Sequence, residues 1–380
     1  MKIAIIGSGF SGSVIAYKLA EAGYESDVFE QRSHIGGNCY TEKDKETNIT
    51  LHKYGPHIFH TADKDVWDFV NQFTEFKNFV LRVKTTINDE VFSLPINLHT
   101  INQFFKKAFT PDEAKAYIES ISISNAEIIS FEDQALKFVG KDIYEAFFKG
   151  YTLKQWGVEP KHLPASILKR LPLRFNYDDN YFNHPYQGMP EGGYTKIFEK
   201  LLDHKNIQLF LNTSFDLNNI SSYDHIIYSG PLDGFFNYAE GELGYRTLDF
   251  IQEHHIGDYQ GCPLMNYGNQ DIPYTRITEH KFFEPWNSFD RTVIYKEYSR
   301  QAKKEDIPYY PIRLTNEKNT LKRYHDLALK QKKISFVGRL ATYRYIDMDV
   351  TIRDALDAAK IIVDSLSKNY TTPVFFTDIL

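Results

Sequence analysis

The chain of 380 residues has only two cysteines, four methionines and three tryptophans. Cys39 and Cys262 form no disulfide framework and no metal-ligand spacing. A cysteine-stapled scaffold is therefore set aside, no metal is expected, and a reducing cytoplasm fits. No stretch approaches 18 apolar residues, so no helix that could span a membrane is expected. The start has no basic stretch leading into a long apolar one, and residues 3–6 read as a strand rather than a leader. Excess positive charge is also missing. With 44 Lys and Arg against 50 Asp and Glu, the net charge is −6, which offers no basic field for nucleic acid. Any phosphate recognition must be local, from arginines and helix N-termini. Aromatics, by contrast, are plentiful, with 26 Tyr and 29 Phe. Some of these fill cores, and the rest are available to stack on a base, a flavin or a sugar face.

The apolar strand at residues 3–6 runs into Gly7-Ser8-Gly9-Phe10-Ser11-Gly12, and a helical pattern follows with Val14, Ile15 and Leu19 on one side. The three glycines have separate mechanical tasks. The first permits the tight turn, the second lets a pyrophosphate approach the backbone, and the third lets helix and strand pack closely. A second strand at residues 26–29 ends at Glu30, 18 residues beyond Gly12, where a carboxylate can accept from ribose hydroxyls. This context makes the motif a dinucleotide site, with Ser11 at the helix start. Gly36-Gly37-Asn38 follows directly, and it resembles the flavin contact of two-dinucleotide-binding-motif flavoproteins. A second GxGxxG for a pyridine nucleotide is lacking. FAD is therefore the expected cofactor, with no obvious pyridine-nucleotide domain to reduce it.

Beyond residue 98 the pattern is mostly helical to about 160. Thr110-Pro111-Asp112-Glu113 is a capping box, and further helices are expected near Ser130 and Asp142. Short β-branched and aromatic runs at 246–250, 264–267, 274–278 and 292–298 read as an antiparallel sheet. A helix at 194–203, strands at 207–211, 226–228 and 334–337, and a long final helix belong with the N-terminal unit. The expected class is α/β. A discontinuous Rossmann-like FAD-binding domain (1–80, 186–240 and 320–380) carries an inserted helical-bundle domain (99–165) and an antiparallel sheet domain (81–98, 166–185 and 241–319). The charged stretch 42–48 reads as a solvated loop.

Three clusters carry candidate chemistry. His57 and His60 lie in Tyr54-Gly55-Pro56-His57-Ile58-Phe59-His60-Thr61. They lack carboxylate or cysteine companions for a metal, so contact with a flavin or sugar is favoured. The run from Phe147 through Tyr151 and Thr152 to Trp156 is open to two readings, core packing or ligand walls. Arg276 and Arg339 sit among tyrosines, a setting that suits a diphosphate with planar bidentate acceptors.

At these residues the chain resembles the prokaryotic UDP-galactopyranose mutases. The matching segments are 35–38, 52–61, 147–157, 168–174, 179–182, 273–281, 308–311 and 338–348, nearly end to end. The resemblance implies interconversion of UDP-galactopyranose and UDP-galactofuranose, a building block of cell-surface polysaccharide. Reduced FAD N5 would act as nucleophile at the anomeric carbon. It further implies that Arg170 and Arg276 grip the diphosphate, with Arg170 and Trp156 on a closing loop. Tyr181, Arg246, Tyr310 and Tyr345 would be further diphosphate ligands. Phe147, Tyr151, Thr152, Trp156 and Asn266 would contact the uridine. His57, His60 and Arg339 would lie near the flavin, as would Asp347 and Met348 at a helix start. The expected partners are a UDP-sugar, an external electron donor for the flavin and, as one option, a second copy of the chain. Pro56 stands where many relatives carry Ala. UDP-N-acetylgalactosamine or dTDP-6-deoxy-galactose remains an alternative substrate. An amine-oxidase-like flavin oxidoreductase and a non-catalytic nucleotide-sugar binder are the rival classes.

Overall fold

The computed structural model describes residues 1–123, 128–165, 173–314 and 317–380. Its organisation starts from a strand that is apolar at successive positions. Ile3, Ala4 and Ile5 are all fully buried. Successive side chains of a strand face opposite ways, so this strand must be covered on both sides. Ile3 and Ile5 enter one core with Val14, Leu19, Phe198 and Ile352, while Ala4 enters another with Ile226, Tyr324 and Phe336. Strand Lys2–Ile6 is central in a parallel sheet ordered Ile207–Phe210, Glu25–Phe29, Lys2–Ile6, His225–Tyr228, Ile334–Phe336. Distant stretches thus build one Rossmann-like sheet. Helices Phe10–Glu21 and Met348–Ser367 pack together on one face of it.

A larger sheet is ordered Tyr310–Pro311, Tyr245–Ile256, Arg291–Gln301, Arg276–Glu279, Leu264–Tyr267, Val83–Ile87, Glu90–Leu94. It is antiparallel except at one seam, where Leu264 pairs in parallel with Val83. The wholly antiparallel expectation is corrected there, because 83–87 reaches the sheet from far away in sequence rather than through a hairpin. Between the two sheets in sequence lies a helical layer. Its helix starts follow local chemistry, with capping boxes at Thr110/Glu113 and Ser130/Asp133. The helix Phe131–Ile143 kinks at Gly140 (φ 73) and passes through a π-helical stretch, Tyr144–Lys149, into Gly150–Trp156. That irregularity replaces the regular helix expected near Asp142, and such stretches are frequent at functional sites.

One loop expectation also changes. The stretch 42–48 is not simply solvated. Thr41–Lys43 pairs with Thr50–His52, and Asp44 is buried and accepts from Thr47, Gln252 and His254. Its carboxylate is satisfied by tertiary donors that the local sequence does not reveal. Residues 157–164, read as part of a closing loop, meet the helical layer near their end. Phe131 N–H donates to Leu163 O (2.8 Å), and Leu163 is buried. Arg170, the far end of that expected loop, lies outside the described residues.

Candidate functional site

The strand Lys2–Ile6 delivers the chain into Gly7 at φ +99, a conformation that β-carbon sterics deny to most residues. Helix Phe10–Glu21 then begins with Gly9 as its cap, and among the described residues no side chain caps its free N–H groups. A β-carbon on Gly12 would overlap the Gly7 carbonyl oxygen, so Gly12 serves the close packing of helix on strand. A β-carbon on Gly9 would meet nothing nearer than Gly37 Cα at 3.9 Å. The space over Gly9 is therefore open, and the backbones of Gly9 and Gly37 face each other across it. Gly36 N–H donates to Ser8 O (3.0 Å) and joins the two glycine loops. Ser11 is buried under Gly338, whose β-carbon would press on it.

Glu30 sits at the end of the second strand, as expected. Its carboxylate already accepts from Ser8 N (3.0 Å), Ser8 Oγ (2.8 Å) and Arg32 N (3.0 Å). A carboxylate offers about four acceptor positions, so roughly one is left for a ribose. Arg32 Nη2 donates to Asn38 Oδ1 (2.9 Å), while Arg32 Nη1 is buried with no partner among the described residues. The open glycine cradle, the uncovered helix start and this orphaned donor fit the diphosphate of a dinucleotide.

Next to the cradle, with Asn38 in its wall, lies a cavity. Asn38, His57, His60, Arg276, Tyr310, Arg339, Tyr345, Asp347 and Met348 line it, with Tyr151, Tyr181 and Asn266 at its far side. Those last three also line a second compartment. Its other walls include Phe147, Thr152, Trp156, Leu94, Ile96 and Phe131. These two compartments bring together most of the residues expected near flavin, diphosphate and base, Arg246 excepted. Both readings of 147–157 find support: Phe147 belongs to a buried core and Trp156 packs against it, and both, with buried Thr152, also line this compartment.

The electrostatics are specific. Arg276 Nε donates to Glu297 Oε2 (2.7 Å). Burial opposes the arginine's charge, but fully buried Glu297 outweighs it and holds the guanidinium firmly cationic. Arg339 is held by carbonyls instead, Ile346 O from Nε (3.1 Å) and Tyr309 O from Nη1 (3.2 Å), and stands 5.4 Å from the Tyr345 ring centre. Burial, then the neighbouring Arg339, push His57 down to about 4. Its ring is neutral at pH 7, Nδ1–H donates to Gly55 O (2.9 Å), and Nε2 keeps a lone pair. His60 and His184 share a proton between their Nδ1 atoms (2.8 Å), and His60 stacks on Phe182.

Arg246 differs from its expected role. It is buried below the end of helix Gly150–Trp156, where Nε donates to Gln155 O (2.9 Å) and Nη2 to Lys154 O (3.3 Å). It lines neither compartment and caps a helix C-terminus instead. Residues the sequence reading missed include Glu297, Arg32, Tyr54 and Tyr309. Glu297 lies opposite Arg276 in the strand register, a pairing with no local signature.

Fold and site together define a class: an enzyme with a Rossmann-like nucleotide-binding domain and a separate, aromatic-walled substrate cavity beside its cradle. Comparison with known proteins narrows it. Residues 146–345 match the family model described as UDP-galactopyranose mutase, and residues 5–73 match an NAD(P)-binding Rossmann-like domain. The chain is 57% identical over 374 residues to the probable UDP-galactopyranose mutase of Klebsiella pneumoniae, covering 98% of this chain and 97% of that one. It is 50% identical over 372 residues to dTDP-fucopyranose mutase of Escherichia coli, covering 95% and 98%. A solved structure of reduced UDP-galactopyranose mutase shares the fold, with TM-score 0.75, 17% identity and coverage of 99% and 98%. The chain belongs to the UDP-galactopyranose mutase family.

Proposed function

We propose that this chain binds FAD in the glycine cradle and interconverts UDP-galactopyranose and UDP-galactofuranose. The observation that carries the reading is that two neighbouring compartments share Tyr151, Tyr181 and Asn266 as walls, the first of them lined by Arg276 and, toward the cradle, by Asn38. Gly7, Gly9, Ser11, Gly12, Glu30, Gly37, Asn38, His57, Arg339, Asp347 and Met348 would hold the cofactor. When bound in its reduced form, the flavin supplies a nucleophile for the anomeric carbon and is not consumed.

The chain's own residues do the rest. Tyr151, Thr152, Trp156, Phe147 and Asn266 wall the base. Arg276, Tyr181, Tyr310 and Tyr345 receive the diphosphate, which leaves and returns during ring exchange. A cation with a fixed counter-carboxylate is a preorganised donor for the charge that grows on that leaving group. Neutral His57 presents an acceptor at Nε2 to a sugar hydroxyl or the cofactor. The aromatic walls keep water from the opened sugar.

Among the described residues no helix is long and apolar enough to cross a membrane. A cytoplasmic setting suits the two free cysteines and the need for an external electron donor. A dTDP-6-deoxyhexose is the second reading. It is favoured by the apolar walls Leu94, Pro95, Ile96 and Val139, which suit a thymine methyl, and by the Escherichia coli relative. The test is to incubate dithionite-reduced enzyme with UDP-galactopyranose, UDP-N-acetylgalactosamine and dTDP-fucopyranose and to separate products by chromatography. Furanose product forming fastest from UDP-galactopyranose supports the main reading. A preference for dTDP-fucopyranose supports the second.

A further inference from the structure

Lys154 lies on the helix Gly150–Trp156, between residues that wall the base compartment, yet it lines neither compartment. Its ammonium is enclosed by four backbone carbonyls: Tyr267 O (2.7 Å), Asn269 O (2.7 Å), Ile272 O (3.0 Å) and Tyr274 O (3.1 Å). Tyr267 ends strand Leu264–Tyr267, and the other three belong to the loop that joins it to strand Arg276–Glu279. An ammonium has three protons, so four carbonyls saturate it and leave nothing for a ligand. The same loop also meets the helix backbone. A β-carbon on Gly150 would overlap Gly268 O and lie 3.3 Å from Gln270 Cγ. Helix and loop are thus joined twice, by a glycine contact and by a caged cation. The only charge facing Lys154 from the loop is Asp271.

The two pieces joined here carry different parts of the site. The helix presents Tyr151, Thr152 and Trp156 to the base compartment, and the strand ends present Asn266 and Arg276, which pair in register. Arg246 holds the same helix from below through its last carbonyls.

We propose that Lys154 is a positioning residue that locks the base-binding helix to the hairpin bearing Asn266 and Arg276, so that base and diphosphate are gripped in one fixed spacing. This rests on the assignment of the two compartments given above. Its loss would affect binding of the whole nucleotide before it affected the chemistry at the sugar. The Nζ–O separations also match what a carbonyl cage offers a monovalent cation, so the emptied cage can take one up.

The experiment uses the flavin-loaded full chain. Lys154→Ala should raise the UDP Kd and the KM for UDP-galactopyranose by about tenfold or more, the loss of charge-assisted hydrogen bonds, with kcat changed by less than about threefold. Flavin content should be unchanged. Ammonium chloride should restore part of the affinity, and tetramethylammonium, too large for the cage, should not. Gly150→Ala, which keeps the lysine but wedges the seam, should also raise KM. In the wild-type protein UDP should slow hydrogen exchange of amides 268–272, which lie outside both compartments. Equal UDP affinity in Lys154→Ala and wild type overturns the proposal. If that variant does not fold, wild-type exchange decides: UDP that binds without protecting 268–272 overturns it equally. Wild-type protein that binds no UDP at all sinks the assignment of the compartments, and this proposal with it.

Discussion

Gly9 and Gly12 stand three residues apart in one motif, and the structure assigns them opposite kinds of importance. A β-carbon at Gly12 would overlap Gly7 O and crowd Gly7 C at 3.1 Å and Ile5 Cγ2 at 3.2 Å. Two of those neighbours are backbone, so helix Phe10–Glu21 must shift away from the sheet. Overpacking of this kind costs about 1–3 kcal/mol, a fall in Tm of roughly 1–4 °C in a chain of this length. At Gly9 the backbone is extended (φ −76, ψ −175) and a β-carbon touches only Gly37 Cα, at an ordinary 3.9 Å. Valine caps less well than glycine, a loss of at most about 1 kcal/mol, or roughly 1 °C in Tm for a chain of this length, with no steric clash to add. Gly9→Val should therefore leave the flavin-free protein about as stable as wild type while filling the space over the cradle. The measurements are flavin absorbance per chain after purification and Tm after the flavin is stripped from all samples. Gly9→Val should be colourless with a nearly unchanged apoprotein Tm, and Gly12→Ala should lose Tm in the apoprotein too. Yellow Gly9→Val protein, or a stripped Tm as low as that of Gly12→Ala, would refute the reasoning.

The remaining expectations follow from single groups. Arg276→Ala should weaken UDP binding at least about tenfold and also destabilise the fold by about 3–5 kcal/mol, because it strands fully buried Glu297. Arg276→Met with Glu297→Gln should recover much of the urea stability but not UDP affinity. Burial holds His225 down to about 4, so the unfolded chain takes up its proton first as pH falls. The stability this residue contributes is complete above about pH 6.5 and is lost toward pH 4, up to about 3 kcal/mol. Urea midpoints of His225→Gln should fall less than those of wild type across that interval, and an identical acid slope would remove the cause. UDP should change tryptophan emission, and the change should vanish in Trp156→Phe. Trp156 lines the base compartment, whereas Trp67 is stacked on Tyr186.

Much of this was legible in the sequence because the physics was local. Strand Leu264–Tyr267 has the bounds its β-branched and aromatic run suggests, and Ser130 and Thr110 cap helices as their partners three residues on require. The interrupted parallel sheet could be read because each of its strands ends in a recognisable turn. What escaped is what the chain decides at a distance. Asp44 sits among charged neighbours but is satisfied from Gln252 and His254, some 200 residues away. The resemblance implies a diphosphate role for both Arg246 and Arg276. Register gives one a carboxylate beside the cavity and gives the other the carbonyls of a helix end. Lys154 gave no signal because its four partners are backbone, which no side-chain pattern encodes.

The central claim is that the flavin acts as a nucleophile and keeps its electrons. It is tested most directly by following the flavin spectrum and the sugar product together. Anaerobic, photoreduced enzyme receives a large excess of UDP-galactofuranose, and absorbance near the oxidised flavin band is recorded while UDP-galactopyranose accumulates. The account predicts many turnovers with the flavin still reduced at the end, and none with oxidised enzyme. Reoxidation of the flavin in step with sugar conversion, or equal turnover by the oxidised enzyme, would contradict it.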